Sequence, residues 1–170
     1  MRTVDEAIRG RRTHKQFEPE PVPRELLEEL LDVASWAPNH RMTQPWRFRV
    51  LGPSSLARLK EAGGPKEAPK LDRAPTLVVV SAKLSGDPVT DEEDLLATGV
   101  AIYLVLLAAH ARGLASYWRT PGVLRTEVGC AAVGLEPDER FVGLVHLGRP
   151  CSQPPAKERA PLAELVRYLD

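Results

Sequence analysis

The chain has 170 residues, with 23 Lys plus Arg against 23 Asp plus Glu. It is therefore long enough to bury a core and carries no net field favouring nucleic acid or an anionic membrane. Its start lacks the charged-then-apolar pattern of a signal peptide, and its longest nearly apolar run, Leu95 to Ala109, is shorter than the roughly 20 residues of a bilayer span. The reading is one cytoplasmic domain over residues 1–170, with Cys130 and Cys151, which follow no metal spacing, as free thiols.

Thr3 with Glu6 forms a possible capping box, and Val4, Ala7 and Ile8 then recur at helical spacing, predicting a short first helix that ends at Gly10. Arg11, Arg12, Thr13, His14 and Lys15 follow as the densest cationic cluster. Such a run is either a solvated basic face or, with a hydroxyl among forked donors, a seat for a phosphate or carboxylate. Pro23 stands where a first helical residue should, and Leu26, Leu27, Leu30, Leu31, Ala34 and Ala37 make a core-facing stripe ending at Pro38. From Ala37 to Phe48 runs a polar loop holding two prolines, the only asparagine, His40, Arg41 and Gln44. It is either a rigid helix-to-strand connection or a binding loop held in one shape.

Trp46, Phe48 and Val50 alternate with Arg47 and Arg49, the pattern of a strand with one covered face and two solvated arginines. Ser54 or Ser55 is placed as the cap of a helix through Leu56 and Leu59, stopped by Gly63 and Gly64, with Pro65 to Ala74 irregular and mobile. Thr76 to Ala82 reads as a strand buried on both faces, hence central in its sheet. Thr90 with Glu93 is placed as a second capping box opening the longest helix, which runs to about Arg112 with Gly113 as its stop. That helix is apolar nearly all round, so it is either the core helix of a monomer or partly covered by a second subunit.

Leu114 to Trp118 predicts a strand leaving through a turn at Arg119 to Gly122, a helix then runs through Val128 and Val133 to Gly134, and Phe141 to Leu147 is the last strand. Pro150 to Pro161 is extended, with Lys157 and Arg159 two apart and so on one side. Leu162 to Leu169 is too apolar for a loose tail and is expected to dock on something.

The sequence holds no glycine-rich dinucleotide fingerprint, no phosphate loop and no nucleophile elbow, and His14, His40, His110 and His146 show no metal pairing. What remains is a scatter of cations, Arg11, Arg12, Lys15, Arg119, Lys157 and Arg159, in non-regular segments. That distribution suits one elongated anionic cofactor touched from several places.

Four sets of residues carry a resemblance: Arg11-Arg12-Thr13 after a first helix; Ala37-Pro38-Asn39-His40 with Gln44-Pro45-Trp46 and Phe48; Trp118-Arg119-Thr120; and Lys157 and Arg159 before Pro161 and Leu162. In this order they resemble the FMN-dependent nitroreductase family, close to its small YdjA-like branch, over essentially the whole chain. The resemblance implies an α+β fold, a mixed and mainly antiparallel sheet flanked by helices, and an intimate homodimer whose two FMN sites are shared between subunits. It assigns Arg11, Lys157 and Arg159 to the flavin phosphate, and Arg12, Thr13 and Lys15 to the ribityl chain and pyrimidine edge. Trp118, Arg119 and Thr120 match a segment lining the flavin, although Trp118 reads equally well as core. Trp36 and His40 match positions that reach the flavin of the other subunit. Met42 departs from the pattern where larger members carry an asparagine on the flavin, and Trp36 is bulky where close relatives carry a cation.

The activity this implies is an FMN-dependent oxidoreductase taking hydride from NADH or NADPH and passing electrons, by a ping-pong mechanism, to a small-molecule acceptor such as a nitroaromatic or quinone. No protein acid or base is required, because the flavin carries the chemistry. The alternatives are a flavin-binding or sensing module without turnover, and a specialised dehydrogenase or dehalogenase of the same fold.

Overall fold

A computed structural model describes residues 3–169; Met1, Arg2 and Asp170, inside the expected domain, lie outside the described residues. Thr3 accepts from the Glu6 N–H while the Glu6 carboxylate accepts from Thr3, and this reciprocal box starts α1 (Val4–Gly10) as the sequence predicts. There follow α2 (Arg24–Ala34), β1 (Trp46–Val50), α3 (Pro53–Leu71), β2 (Thr76–Lys83), α4 (Pro88–Ala111), β3 (Ala115–Arg119), α5 (Glu127–Ala132) and β4 (Glu139–Gly148).

The strands form one sheet in the order β1-β2-β4-β3, every neighbouring pair antiparallel. The single parallel pairing among the described residues is an isolated bridge from Thr13 to Ser116. β2 is central and buried on both faces, as its unbroken apolar run requires. Val78 and Val80 face one core with Val145 and Leu147, covered by α2 and α4. Leu77 and Val79 face a second core with Leu59, Leu71, Leu124 and Leu144, covered by α3 and α5. The fold is thus α+β, with helices on both faces of the sheet.

α4 has 24 residues and by length and composition alone is apolar enough to cross a membrane, although its nearly apolar run, Leu95 to Ala109, is shorter than a span. Its place in the fold is set by packing, since it contacts α2 and all four strands. Leu96 and Val100 remain exposed on its outer side.

Local signals misplace several boundaries. α2 stops at Ala34 rather than running to Pro38, and Pro23 is its N-cap rather than its first helical residue. α3 is capped by Gly52 with Pro53 following, not by a serine. Gly64, at φ 66° and ψ −172°, breaks α3, but the helix resumes through Pro65 to the fully buried Leu71, so the segment expected to be irregular is mostly helical. α4 begins three residues earlier than expected because Asp87 accepts from the Thr90 N–H and Pro88 occupies the first turn. Arg49 is not solvated: its Nη1 lies 2.7 Å from Glu139, whose carboxylate also accepts from Ser81. Beyond β4 the chain stays at the surface, and Leu162, Leu165, Tyr168 and Leu169 are exposed within the single chain.

Candidate functional site

α1 ends against α4, where a Cβ built on Gly10 would stand 3.0 Å from His110 Nε2. The next residues run along the outer edge of β3, with Thr13 bridging Ser116 and the His14 N–H donating to the Ser116 carbonyl at 3.1 Å. At this seam sit two half-buried guanidinium groups. Arg11 Nη1 donates to the Arg12 carbonyl at 3.2 Å, and Arg12 Nη1 donates to the carbonyls of Arg9 at 2.7 Å and Arg11 at 3.0 Å. Neither forms an ion pair with a carboxylate among the described residues, and Arg11 Nε, Arg12 Nε and Ser116 Oγ are buried without a partner. Two guanidinium groups without a carboxylate partner and with orphaned donors leave positive charge unmatched at this seam.

The buried His14 side chain meets the backbone of Ser152. Burial holds its pKa below the usual histidine value, helped by the nearby Arg11. Phe17 bridges Pro150, and the Glu18 N–H donates to the Arg149 carbonyl at 3.0 Å. Residues 14–18 therefore staple the start of the C-terminal arm to the Arg11–Arg12 seam. Lys157 and Arg159 lie further along that arm, both exposed and in irregular backbone, while Thr13 and Lys15 are exposed at the seam itself.

At the exit of β3 the predicted residues diverge. Trp118 lies on the α4 face, packed on the core, and a Cβ on Gly143 would collide with its Nε1. The bulge between Val80 and Ser81 shifts the register so that Val142 and Gly143 share that face, opening the gap the indole fills. Its Nε1 is buried and unpartnered. Arg119, one residue on, points to the opposite face, where Nη2 meets Glu67 of α3 at 2.5 Å with both side chains largely buried. Thr120 is exposed.

Trp36 and His40 stand elsewhere. Trp36 is 82% exposed, and His40 Nδ1 lies 2.8 Å from Glu93 near the start of α4. The loop behind them is strained: Arg41, Met42 and Gln44 all adopt positive φ, at 54°, 53° and 46°. Asn39 Oδ1 holds it by accepting from the Gln44 N–H at 2.9 Å, and the Thr43 hydroxyl donates at 2.5 Å to the buried Asp94. Glu93 and His110 are about 25 Å apart along α4 at its helical rise. Within one chain, then, the Arg11–Arg12 seam and His40 stand near opposite ends of α4, too far apart for one isoalloxazine ring to touch both.

The sequence profile of the Nitroreductase family matches residues 8–64 and 55–149, which together take in the seam, the strained loop and all four strands. The chain belongs to the nitroreductase family. Among its relatives, YfhC of Bacillus subtilis, provisionally named an NAD(P)H nitroreductase, is 30% identical over 92% of this chain and 89% of its own length. YdjA of Escherichia coli, named in the same way, is 28% identical over 88% of this chain and 89% of its own. Among solved structures, a nitroreductase-like protein from Bacillus cereus superposes with a TM-score of 0.91 at 25% identity, over all of this chain and 97% of that one. A provisionally named nitroreductase from Desulfovibrio desulfuricans, crystallised with FMN, gives 0.84 at 27% identity over all of this chain and 98% of that one.

The seam also holds groups to which the sequence alone gives no role. Ser116 contributes an orphaned hydroxyl and a carbonyl to the seam, and His14 ties the arm to it, yet a serine within a strand and a histidine within a basic run carry no local signal of either role. Gly143 decides which way Trp118 lies, through a contact 25 residues away in sequence.

Proposed function

We propose that the whole chain acts as one FMN-binding domain of an NAD(P)H-dependent oxidoreductase, a nitroreductase by reaction class. The observation that carries this is the pair of uncompensated guanidinium groups at the seam, with buried Nε atoms lacking partners, in a chain of this family. The donor set fits FMN, because a flavin phosphate is close to a dianion and calls for several cations free of carboxylates. Arg11, Lys157 and Arg159 would hold the phosphate, the last two on an arm whose start is anchored beside the seam by His14 and Phe17. Arg12, Thr13 and Lys15 hold the ribityl chain and pyrimidine edge, where positive charge favours the reduced, anionic ring. Trp118 backs this wall from the core, Thr120 borders it, and Arg119 braces β3 on α3 through Glu67.

The bound flavin supplies the hydride chemistry, accepting from NADH or NADPH and passing electrons to the acceptor. This chain's residues orient the two substrates at one place in turn, which is a ping-pong order, with a nitroaromatic, a quinone or another conjugated electrophile as acceptor. The separation along α4 supports a site completed by a second copy, whose Trp36 and His40 cover the flavin seated on the first. Heat release of the cofactor from purified protein, followed by chromatography, tests the assignment. FMN is the expected product; FAD, or no flavin after FMN has been supplied, overturns it.

A further inference from the structure

The far end of β3 opens into a cavity that the seam does not use. It has a volume of about 570 Å3, within the range of small-molecule sites, and lies between the β3 exit, α5 and the start of β4. Leu84, Leu124, Phe141 and Val142 give it apolar walls, and Arg125 and Arg140 give it two cations. Neither arginine forms an ion pair among the described residues, although Glu139 lines the same cavity. That carboxylate is already matched by Arg49 at 2.7 Å and by the Ser81 hydroxyl at 2.7 Å, so it leaves the positive charge of the cavity standing. The Cys130 thiol is likewise committed, donating to the Leu124 carbonyl at 3.4 Å.

We propose that this cavity is a second ligand site, taking a small aromatic carboxylate. Each alternative class leaves part of the lining unused or opposed. A cation meets two arginines, an inorganic anion leaves the apolar walls wet, and a neutral aromatic leaves both guanidinium forks unpaired. An aromatic acid places its ring on Phe141 and the leucines and its carboxylate in the fork of Arg125 or Arg140. The cavity meets the proposed flavin wall at Thr120, and none of its other lining residues has a part in flavin binding.

The test is an NMR titration of the flavin-loaded protein with benzoate, and in parallel with benzamide, which keeps the ring and removes the charge. Benzoate is expected to saturate with a Kd on the order of 1 mM, moving the amides of Leu124, Cys130 and Phe141, with benzamide several times weaker. Arg125→Ala and Arg140→Ala, both at exposed positions, are expected to weaken benzoate by about threefold or more while leaving benzamide unchanged. Shifts concentrated at Arg11 to Lys15, equal affinity for the two probes, unsaturable shifts, or indifference to both substitutions overturns the proposal.

Discussion

At the scale of single residues, the structure separates charges that wait for a ligand from charges already matched. Arg11 donates to the Arg12 backbone carbonyl and pairs with no carboxylate among the described residues. Replacing it by alanine removes a charge-assisted hydrogen bond worth roughly 1.5 to 3 kcal/mol, so FMN binding is expected to weaken about ten- to a hundredfold. Riboflavin, which lacks the phosphate, should bind to the variant almost as well as to the parent, and equal losses for the two ligands would contradict the assignment. His146 is the opposite kind of residue. It is fully buried in β4 with both ring nitrogens unpartnered, and burial, helped by Arg119 and Arg73, pushes its pKa down to about 3. The unfolded chain takes up this proton near pH 6.5, whereas the folded chain resists it until about pH 3. Stability is therefore undiminished above pH 6.5 and falls as the pH drops towards 3, by up to about 1.4 kcal/mol per pH unit from this residue. His146→Leu is expected to flatten that slope in urea titrations at pH 7.5 and 5 and to cost little at the higher pH, since an apolar residue leaves no buried nitrogen unpaired. An unchanged slope would show that other groups govern acid sensitivity.

At the scale of elements, the Arg119–Glu67 pair fastens the second half of α3 to the sheet. Glu67→Ala leaves a mostly buried guanidinium uncompensated, and the expected cost is about 3 kcal/mol in chemical denaturation, with faster hydrogen exchange concentrated in residues 65–71. A uniform loss of protection across the fold would instead place the effect elsewhere. This element also marks where the sequence was legible and where it was not. Capping at Thr3, the buried run of β2 and the glycine stop at Gly113 are local, and they were readable because the interacting groups are neighbours in sequence. The break at Gly64 was readable too. The resumption of α3 was not, because Pro65 fits the first turn of a new helical piece and Leu71 is held by packing that no local signal announces. The site follows the same division. The basic run at Arg11 to Lys15 stands out in the sequence, whereas the pairing of Arg119 with Glu67, 52 residues away, has no local signal. Alternation along β3 alone could not say which face the core would claim.

At the scale of the whole molecule, the Arg11–Arg12 seam and His40 lie near opposite ends of α4. Apolar side chains are left exposed on its outer side, at Trp36 and along the C-terminal tail. In the proposed dimer a second copy would cover the exposed faces and bring Trp36 and His40 to the other chain's seam. Binding and assembly are then linked, and FMN at about 100 times its dissociation constant should add roughly 2.7 kcal/mol of stability to the dimer. Sedimentation over a dilution series is expected to show the apo-protein dissociating before the FMN-loaded protein, and removal of residues 162–170 is expected to weaken the dimer. A monomer retaining full FMN affinity would refute a shared site. The account as a whole rests on the flavin being loaded and reducible, and anaerobic titration of the purified protein with NADH and with NADPH reads both from one absorption spectrum. The account predicts an oxidised-flavin band that at least one nicotinamide bleaches with one equivalent per flavin and that a quinone or nitroaromatic restores; a protein with no such band, or with a band that neither nicotinamide bleaches, would contradict it.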